Sequence, residues 1–375
     1  MRTRGAVIRQ APGKYEVVDL ELDAPRPGEI QVQLVASGLC HSDDHLATGD
    51  LTPGIFPMAG GHEGAGVVTG VGLHTSGFEE GDHVVLAVPG CGHCRWCAGG
   101  QQNLCDLGSM TLAGCRFDDP GTYRLSLDGA PVGQMCGIST FCEHTTVSVN
   151  SAVRIATDIP LDVACLVGCG VATGWGSATV SAAVSPGDTV IVVGVGGIGI
   201  NAVQGAAFVG AVNVIAVDPV PFKREIAQRL GATHAVATIE EAADLARSMT
   251  NGQGADSAIV TVGVTNGDHV AQAFAAIRKA GTVVVTGLGN HHDIGVPIPL
   301  AELTLFQKRL QGSLFGASSP AFSIPRLLEL YQAGALKLDE LITTRYPLDE
   351  VARGYEDMHA GTNVRGIIDY AGTAG

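Results

Sequence analysis

The sequence predicts an α/β protein of two parts, a β-rich domain and a doubly wound parallel α/β domain. Three observations carry that prediction: the length, a change of texture near residue 170, and a stretch in which apolar strands alternate with helical segments. The chain has 375 residues, which at roughly 150 residues per domain points to two domains. Apolar residues make up 46%, enough for sizeable cores and incompatible with a largely disordered chain.

Up to about residue 170 short strands are broken by Gly, Pro and Asp. Ile30-Gln-Val-Gln-Leu-Val35 alternates with period two, as does part of His83-Val-Val-Leu-Ala-Val88, the signature of half-buried strands. Beyond it, Thr189-Val-Ile-Val-Val193 reads as a strand buried on both faces. A helix over Ile198–Gly210, a strand over Asn213–Val217 and a helix over Phe222–Leu230 follow. Next come a strand over Asp256–Val262, a helix over His269–Lys279 and a strand over Thr282–Thr286. Such alternation predicts a parallel sheet with right-handed crossovers. An amphipathic helix over Ile324–Ala333 and a tail ending Gly366-Ile-Ile-Asp-Tyr370 close the chain.

Composition excludes several classes. Lys and Arg number 22 against 37 Asp and Glu, a net charge of −15, which argues against nucleic acid or an anionic membrane as partner. Charged residues are 16%, below the ~25% of an average soluble protein. The 52 glycines follow no G-x-y period, so collagen is excluded. The longest apolar stretch, Val190 to Ile200, is eleven residues with four glycines inside it, too short to span a bilayer. Met1-Arg2-Thr3-Arg4-Gly5 leads into no signal-peptide core, so the expected location is cytoplasmic. In that setting ten cysteines read as metal ligands or buried thiols rather than disulfides.

Gly194-Val-Gly196-Gly197-Ile198-Gly199 follows one predicted strand and opens a predicted helix, and Asp218 ends the next strand. This is the context of a dinucleotide site. Gly194 allows the tight turn, Gly196 lets backbone approach a pyrophosphate, and Gly199 lets helix and strand pack closely. The helix N-terminus favours phosphate. A carboxylate at Asp218 accepts ribose hydroxyls and repels a 2′-phosphate, favouring NAD over NADP.

Cys91, Cys94, Cys97 and Cys105 are spaced C-x2-C-x2-C-x7-C on one Gly-rich loop. Four thiolates there suit a closed tetrahedral zinc site, and similar spacings also serve iron–sulfur clusters. Further ligand-type residues lie in Cys40-His41-Ser42-Asp43-Asp44-His45, in Gly61-His62-Glu63-Gly64 and in Gly168-Cys169-Gly170. No spacing rule joins these, and a lone His or Cys is more often a core residue than a ligand.

Gly61-His62-Glu63-Gly64-Ala65-Gly66, the four-cysteine loop, Gly168-Cys169-Gly170-Val171-Ala172-Thr173-Gly174 and the dinucleotide motif resemble, in order and spacing, the zinc-dependent medium-chain alcohol dehydrogenases. The likeness covers essentially the whole chain. Ser37-Gly-Leu-Cys-His-Ser-Asp, Val171-Ala-Thr-Gly-Trp175 and Val217-Asp-Pro-Val-Pro-Phe-Lys-Arg224 are similar to the bacterial nicotinoprotein branch, which takes nitrosodimethylaniline as an artificial acceptor. The resemblance implies a β-rich GroES-like catalytic domain, residues 1–170 and 314–375, and a doubly wound Rossmann NAD-binding domain, residues 171–313, with the active site in the cleft between them.

It also implies roles. Cys40, His62 and Cys169 would ligate a catalytic zinc, a set that leaves one position open. Glu63 would be an alternate ligand, and Asp43 would hydrogen-bond His62 from behind. Ser42 and His45 would relay the alcohol's proton by way of a nicotinamide ribose hydroxyl to solvent. Lys223 would contact the adenosine ribose, Arg365 the pyrophosphate and Thr173 the nicotinamide. His41 replaces the arginine found beside the first ligand in vertebrate relatives, which weakens that phosphate contact. Ala87 stands where several relatives carry a bulky aromatic, hinting at a roomier substrate pocket, with Met135 and Cys136 along the same wall. Cys115, Cys142 and Cys165 read as ordinary buried thiols.

The expected reaction is reversible hydride transfer from a primary alcohol to NAD, with two zincs per chain. NAD could be held so tightly that an external carrier reoxidises it, and relatives suggest a homodimer. One alternative is a formaldehyde dehydrogenase acting on a thiol adduct, with Arg116 and Arg124 in the long Leu107–Met135 segment either greeting the adduct's carboxylate or solvated. Another is a non-catalytic, zinc-stabilised NAD sensor or scaffold, which would need no proton relay.

Overall fold

The computed structural model describes residues 1–290 and 293–370. Residues 371–375, at the end of the expected 314–375 span, and residues 291 and 292, within 171–313, lie outside the described residues. The chain divides into two units, Met1–Cys169 with Ser319–Gly375, and Gly170–Ser318. The return to the first unit comes at Ser319, after residue 314, because Gly316 packs directly on Gly176 of the second unit. Among the described residues no single helix is long and apolar enough to cross a membrane.

The first unit holds a closed barrel and a seven-stranded sheet. The barrel strands are Arg2–Ile8, Glu16–Leu22, Leu125–Leu127, Ala130–Gln134 and Met58–Ala59. At the centre of the sheet is Glu29–Gly38, in which Ile30, Val32, Leu34 and Ala36 are buried while Gln33 faces solvent. The alternation read from Ile30–Val35 is therefore a real pleat. Two neighbours of this strand set the site. Gly64–Val71 pairs antiparallel with it, Gly64 opposite Ser37. On the other side Arg365–Asp369 pairs with Gly38 opposite Ile367. Next along, His83–Leu86 places Leu86 opposite Gly64. A Cβ at Gly168 would meet the Leu86 carbonyl at 2.5 Å, so the Gly168–Cys169 segment packs at that same sheet end.

The second unit is a six-stranded parallel sheet ordered His234–Val236, Asn213–Val217, Thr189–Val193, Ala255–Val260, Ile277–Val285, Arg309–Gly312. Every residue of Thr189–Val193 is buried, as a strand covered on both faces requires. Two local expectations change. The helix predicted to reach Lys279 spans Gly267–Ala276, and Ile277 turns extended because its β-branched side chain is buried opposite Ala255 in the sheet. The strand His234–Val236 and the helix Ile239–Met249 occupy a stretch where no element is predicted. Thr238 caps that helix by accepting the Glu241 N–H at 3.2 Å, a T-x-x-E start signal the sequence does carry.

Candidate active site

The end of the central strand is where the first constellation forms. Cys40 lies just past Gly38, while His62 and Glu63 lie just before Gly64, so the Ser37–Gly64 register brings the three together. The Gly38 N–H donates to the Glu63 carbonyl at 2.9 Å, and the Leu39 N–H donates to the Gly366 carbonyl at 3.0 Å. With Cys169 the result is a buried group whose ligand atoms all lie within 4.8 Å of one another: Cys40, His62, Glu63 and Cys169. These residues are far apart in the chain and meet only in the fold.

The details fit a metal ion. Asp43 Oδ2 lies 2.9 Å from His62 Nδ1, an off-axis ionic contact, while Asp43 Oδ1 accepts the Gly61 N–H at 2.8 Å. Asp43 itself is fully buried. With Nδ1 turned to Asp43, Nε2 is left as the donor, and it is buried with no hydrogen-bond partner among the described residues. A buried imidazole nitrogen without a partner is costly, and a metal ion among two sulfurs satisfies it. In the metal-free cluster burial opposes the His62 charge, but Asp43, Cys169 and Cys40 outweigh it and push the imidazole well above its usual range. The two thiols share one proton through their hydrogen bond, which drives Cys40 down and Cys169 up. Two sulfurs, an imidazole nitrogen and a carboxylate converging within 4.8 Å suit a cation.

Glu63 is fully buried, ion-paired with Arg365 Nη2, and its carboxyl is raised to about 7 by burial against the opposing pull of Arg365. A side chain at Gly38 would collide with both partners, so glycine there makes room for the pair. Arg365, expected at a pyrophosphate, is 3% exposed, and its Nε has no hydrogen-bond partner among the described residues.

The helix His41–Thr48 follows Cys40 directly and carries the relay candidates. Cys40 Sγ lies 3.8 Å from Ser42 Oγ. His45 is buried rather than on the surface, with Nδ1 3.2 Å from Asp50 Oδ2. Sequence reasoning missed Asp50, and it also missed two tyrosines that brace the site. The Tyr15 hydroxyl donates to the Asp43 carbonyl at 2.9 Å, and the Tyr355 hydroxyl to the Cys40 carbonyl at 3.4 Å. No periodicity marks these residues; only the turn signal Gly49-Asp50 hinted at the first. His41 opens the helix and is half-buried.

Ala87, Met135 and Cys136 are all buried. Ala87 follows the strand His83–Leu86, and its N–H donates to the Ser151 carbonyl at 2.9 Å. Met135 and Cys136 form a tight turn in which Cys136 takes a left-handed φ of 53°. Burial pushes the Cys136 thiol up to about 11, and it lies near enough to feel His62, Asp43 and Cys40. Cys115, Cys142 and Cys165 are buried free thiols.

Arg116 and Arg124 require a correction. They are neither solvated nor open to a substrate carboxylate. Both are buried and share one oxygen of Glu29, at 3.0 Å from Arg116 Nε and 2.7 Å from Arg124 Nε. Glu29 opens the central strand inside the fold, and a buried carboxylate needs opposite charge beside it.

The loop cysteines Cys91, Cys94, Cys97 and Cys105 have sulfurs within 4.8 Å of one another, with Cys91–Cys97 at 4.0 Å and Cys94–Cys105 at 3.9 Å. Backbone N–H groups point at the sulfurs: Cys94 to Cys91 at 3.2 Å, Cys91 to Cys105 at 3.2 Å and Leu107 to Cys105 at 3.4 Å. Such donors stabilise thiolates, and four thiolates fit a closed tetrahedral ion. Hydrogen bonds from the backbone of Cys97 and Asp106 bring Cys94 down to about 6.

In the second unit the dinucleotide motif has its expected form. Gly194 has a φ of 82°, and a side chain at Gly199 would strike the Gly194 carbonyl oxygen. A Cβ at Gly196 would meet nothing within 4 Å, so the backbone there fronts open space at the head of the helix Gly199–Phe208. That is a cradle for a pyrophosphate. Gly197 and Ile198 complete the loop. Asp218 accepts the Val195 N–H at 3.0 Å and the Val220 N–H at 2.9 Å, which fixes its carboxylate at the end of Asn213–Val217. Lys223 lies half-buried on the helix Pro221–Arg229. Thr173 is buried in Gly170–Gly176, its carbonyl accepting the Ser177 hydroxyl at 2.7 Å.

Comparison with known proteins agrees with this layout. Residues 26–157 match the alcohol dehydrogenase GroES-like domain, and residues 197–332 match the zinc-binding dehydrogenase family. The chain is 51% identical to the NDMA-dependent alcohol dehydrogenase of Amycolatopsis methanolica, over 98% of this chain and 99% of that protein. It is 33% identical to the S-(hydroxymethyl)glutathione dehydrogenase of Paracoccus denitrificans, over 99% of this chain and 100% of that protein. Among solved structures it resembles an alcohol dehydrogenase zinc-binding domain protein from Burkholderia ambifaria (TM-score 0.92, 32% identity, 98% of this chain and 99% of that one). It also resembles the benzyl alcohol dehydrogenase of Acinetobacter calcoaceticus (TM-score 0.90, 27% identity, 98% of this chain and 99% of that one). A chain similar to such proteins from end to end belongs to the zinc-dependent medium-chain alcohol dehydrogenase family, in the branch of the NDMA-dependent nicotinoproteins.

Proposed function

We propose that this protein moves a hydride reversibly between a primary alcohol and NAD. The observation that carries this reading is the buried Cys40–His62–Glu63–Cys169 cluster with its unpartnered His62 Nε2. Cys40, His62 and Cys169 would hold a catalytic zinc, and the four loop cysteines a second, structural one. When bound, zinc supplies Lewis-acid weakening of the alcohol O–H, and NAD the hydride acceptor.

The chain's own residues do the rest. Asp43 holds the His62 ring so that Nε2 faces the cluster. Glu63 stands ready as an alternate ligand, retained by Arg365. Ser42 takes up the alcohol's proton and His45 carries it onward. Gly194, Gly196, Gly197, Ile198 and Gly199 would hold the pyrophosphate, and Asp218 and Lys223 the adenosine ribose. Arg365 and His41 would serve the phosphates, and Thr173 the nicotinamide. Ala87, Met135 and Cys136 bound the alcohol's side chain.

The nicotinoprotein likeness supports a finer reading: NAD stays bound through turnover and an external redox carrier reoxidises it. We propose further that the enzyme is a cytoplasmic homodimer. The thiol-adduct reading loses the cations it relied on, since Arg116 and Arg124 are committed to Glu29.

The deciding experiment is to purify the protein without added cofactor, denature it and quantify the NAD(H) and zinc released per chain. Near-stoichiometric NAD(H) with two zincs is expected. Two zincs with an empty, exchanging NAD site would replace the nicotinoprotein reading with an ordinary dehydrogenase. One zinc would remove the catalytic ion and the mechanism with it.

A further inference from the structure

We propose that Asp50 is a positioning residue of the proton relay, setting the tautomer of His45 and balancing its charge when it takes up a proton. The proposal rests on the reading of His45 as a relay group. Helix His41–Thr48 ends at Gly49, whose φ of 90° turns the chain back. The Leu51 N–H then closes onto the His45 carbonyl at 3.0 Å. This turn brings the carboxylate of Asp50 against the helix it has just left. Its Oδ2 accepts the Thr48 hydroxyl at 2.7 Å and lies 3.2 Å from His45 Nδ1.

A carboxylate only accepts hydrogen bonds, so in the neutral ring Nδ1 carries the hydrogen and Nε2 presents its lone pair. That Nε2 is buried and has no hydrogen-bond partner among the described residues, as an open proton acceptor should be. The His45 side chain is 3% exposed and that of Asp50 22%. An imidazolium formed in so dry a place needs an opposite charge in contact, and Asp50 supplies it. The other carboxylates of the helix are engaged elsewhere: Asp44 with His359 at 2.7 Å, and Asp43 with His62 and the Gly61 N–H. The proton taken up at Nε2 makes an imidazolium–carboxylate pair, and release of that Nε2 proton to water, with Nδ1–H kept on Asp50 throughout, restores the resting tautomer.

The test combines spectroscopy and kinetics on the full-length protein. Two-bond 1H–15N correlations of 15N-histidine protein, with the His45 signals assigned by their absence in His45→Gln, report the tautomer directly. The Nδ1–H form is expected in the wild type and in Asp50→Glu, with that preference lost in Asp50→Asn. General acid–base groups are worth roughly 10²–10⁴-fold, so Asp50→Asn should lower kcat/KM for an alcohol by about tenfold or more. Asp50→Glu should recover most of it. In a His45→Gln background, Asp50→Asn should cost nothing further, because its effect passes through His45. An Nε2–H ring in the wild type, or an undiminished Asp50 effect without His45, would overturn the proposal. A slow His45→Gln beside a normal Asp50→Asn would overturn it while sparing the relay. A normal His45→Gln would remove the relay and the proposal together.

Discussion

Replacing Glu29 by Gln removes one charge from the first unit and leaves the shape nearly unchanged. In the native fold Glu29 Oε1 serves both Arg116 Nε and Arg124 Nε, at 3.0 and 2.7 Å, with the arginine side chains 1% and 2% exposed. After the change Arg116 still has Asp23 at 3.1 Å. Among the described residues, Arg124's remaining hydrogen bonds go to neutral acceptors, Gln134 Oε1 at 3.0 Å and the Gly137 carbonyl at 3.4 Å. Breaking a buried pair costs about 3–5 kcal/mol. Because the amide oxygen can still accept, the low end applies, roughly 3 kcal/mol. For a unit of this size 1 kcal/mol moves Tm by about 2–4 °C, so the calorimetric transition of the first unit should drop by roughly 6–12 °C at neutral pH.

The sign of the pH dependence is also determined. Burial by itself would raise the Glu29 carboxyl. The facing charge of Arg124, the Arg26 N–H and hydrogen bonds from both arginines outweigh burial and hold it below the usual carboxylate range. A carboxyl lowered on folding stabilises above its unfolded pKa, and that stability disappears as pH falls through the folded value. The Tm gap between wild type and variant should therefore be full at neutral pH and close in acid, below the ordinary carboxylate range. A neutral-pH loss under about 1 kcal/mol, the scale of a surface pair, or a gap that persists unchanged in acid, would refute the account of the cluster.

Three further substitutions test the two sites. Cys105→Ser should release about one zinc per chain by metal analysis and lower Tm, since four thiolates close that site; full zinc retention would remove its ligand role. Gly199→Ala forces a methyl into the Gly194 carbonyl, and overpacking of about 1–3 kcal/mol should weaken NAD binding roughly ten- to hundredfold by calorimetric titration. Asp218→Asn keeps an acceptor for the Val195 N–H while losing the charge, so NADP should gain on NAD by roughly tenfold or more in direct binding; an unchanged preference would take the ribose away from Asp218.

The local patterns were legible from the sequence because their physics is local. Period-two burial along Ile30–Val35, the continuous β-branched run at Thr189–Val193, the glycine spacing from Gly194 to Gly199 and the four-cysteine loop each depend on neighbours a few residues away. Where a non-local contact decides the outcome, the sequence alone falls short. Ile277 has a helical context on one side and still turns extended, since its burial opposite Ala255 outweighs local preference. Cys40, His62 and Cys169 share no spacing, and in the sequence only the family likeness groups them. What joins them is the register of Gly64 on Ser37 and of Leu86 on Gly64.

Charge in the interior was decided by tertiary structure to an even greater degree. Nothing in the string says that Arg116 and Arg124 face a common carboxylate at Glu29, or that Asp50 folds back onto His45. A charged side chain written in sequence is indifferent between water and a buried partner, because desolvation and pairing nearly cancel and the balance depends on geometry within a few ångströms. Residue order alone sets which residue types could bind zinc and NAD, and where the strongly patterned strands and the glycine turns lie. The tertiary structure decided which buried groups meet, and so which of those residues can act together.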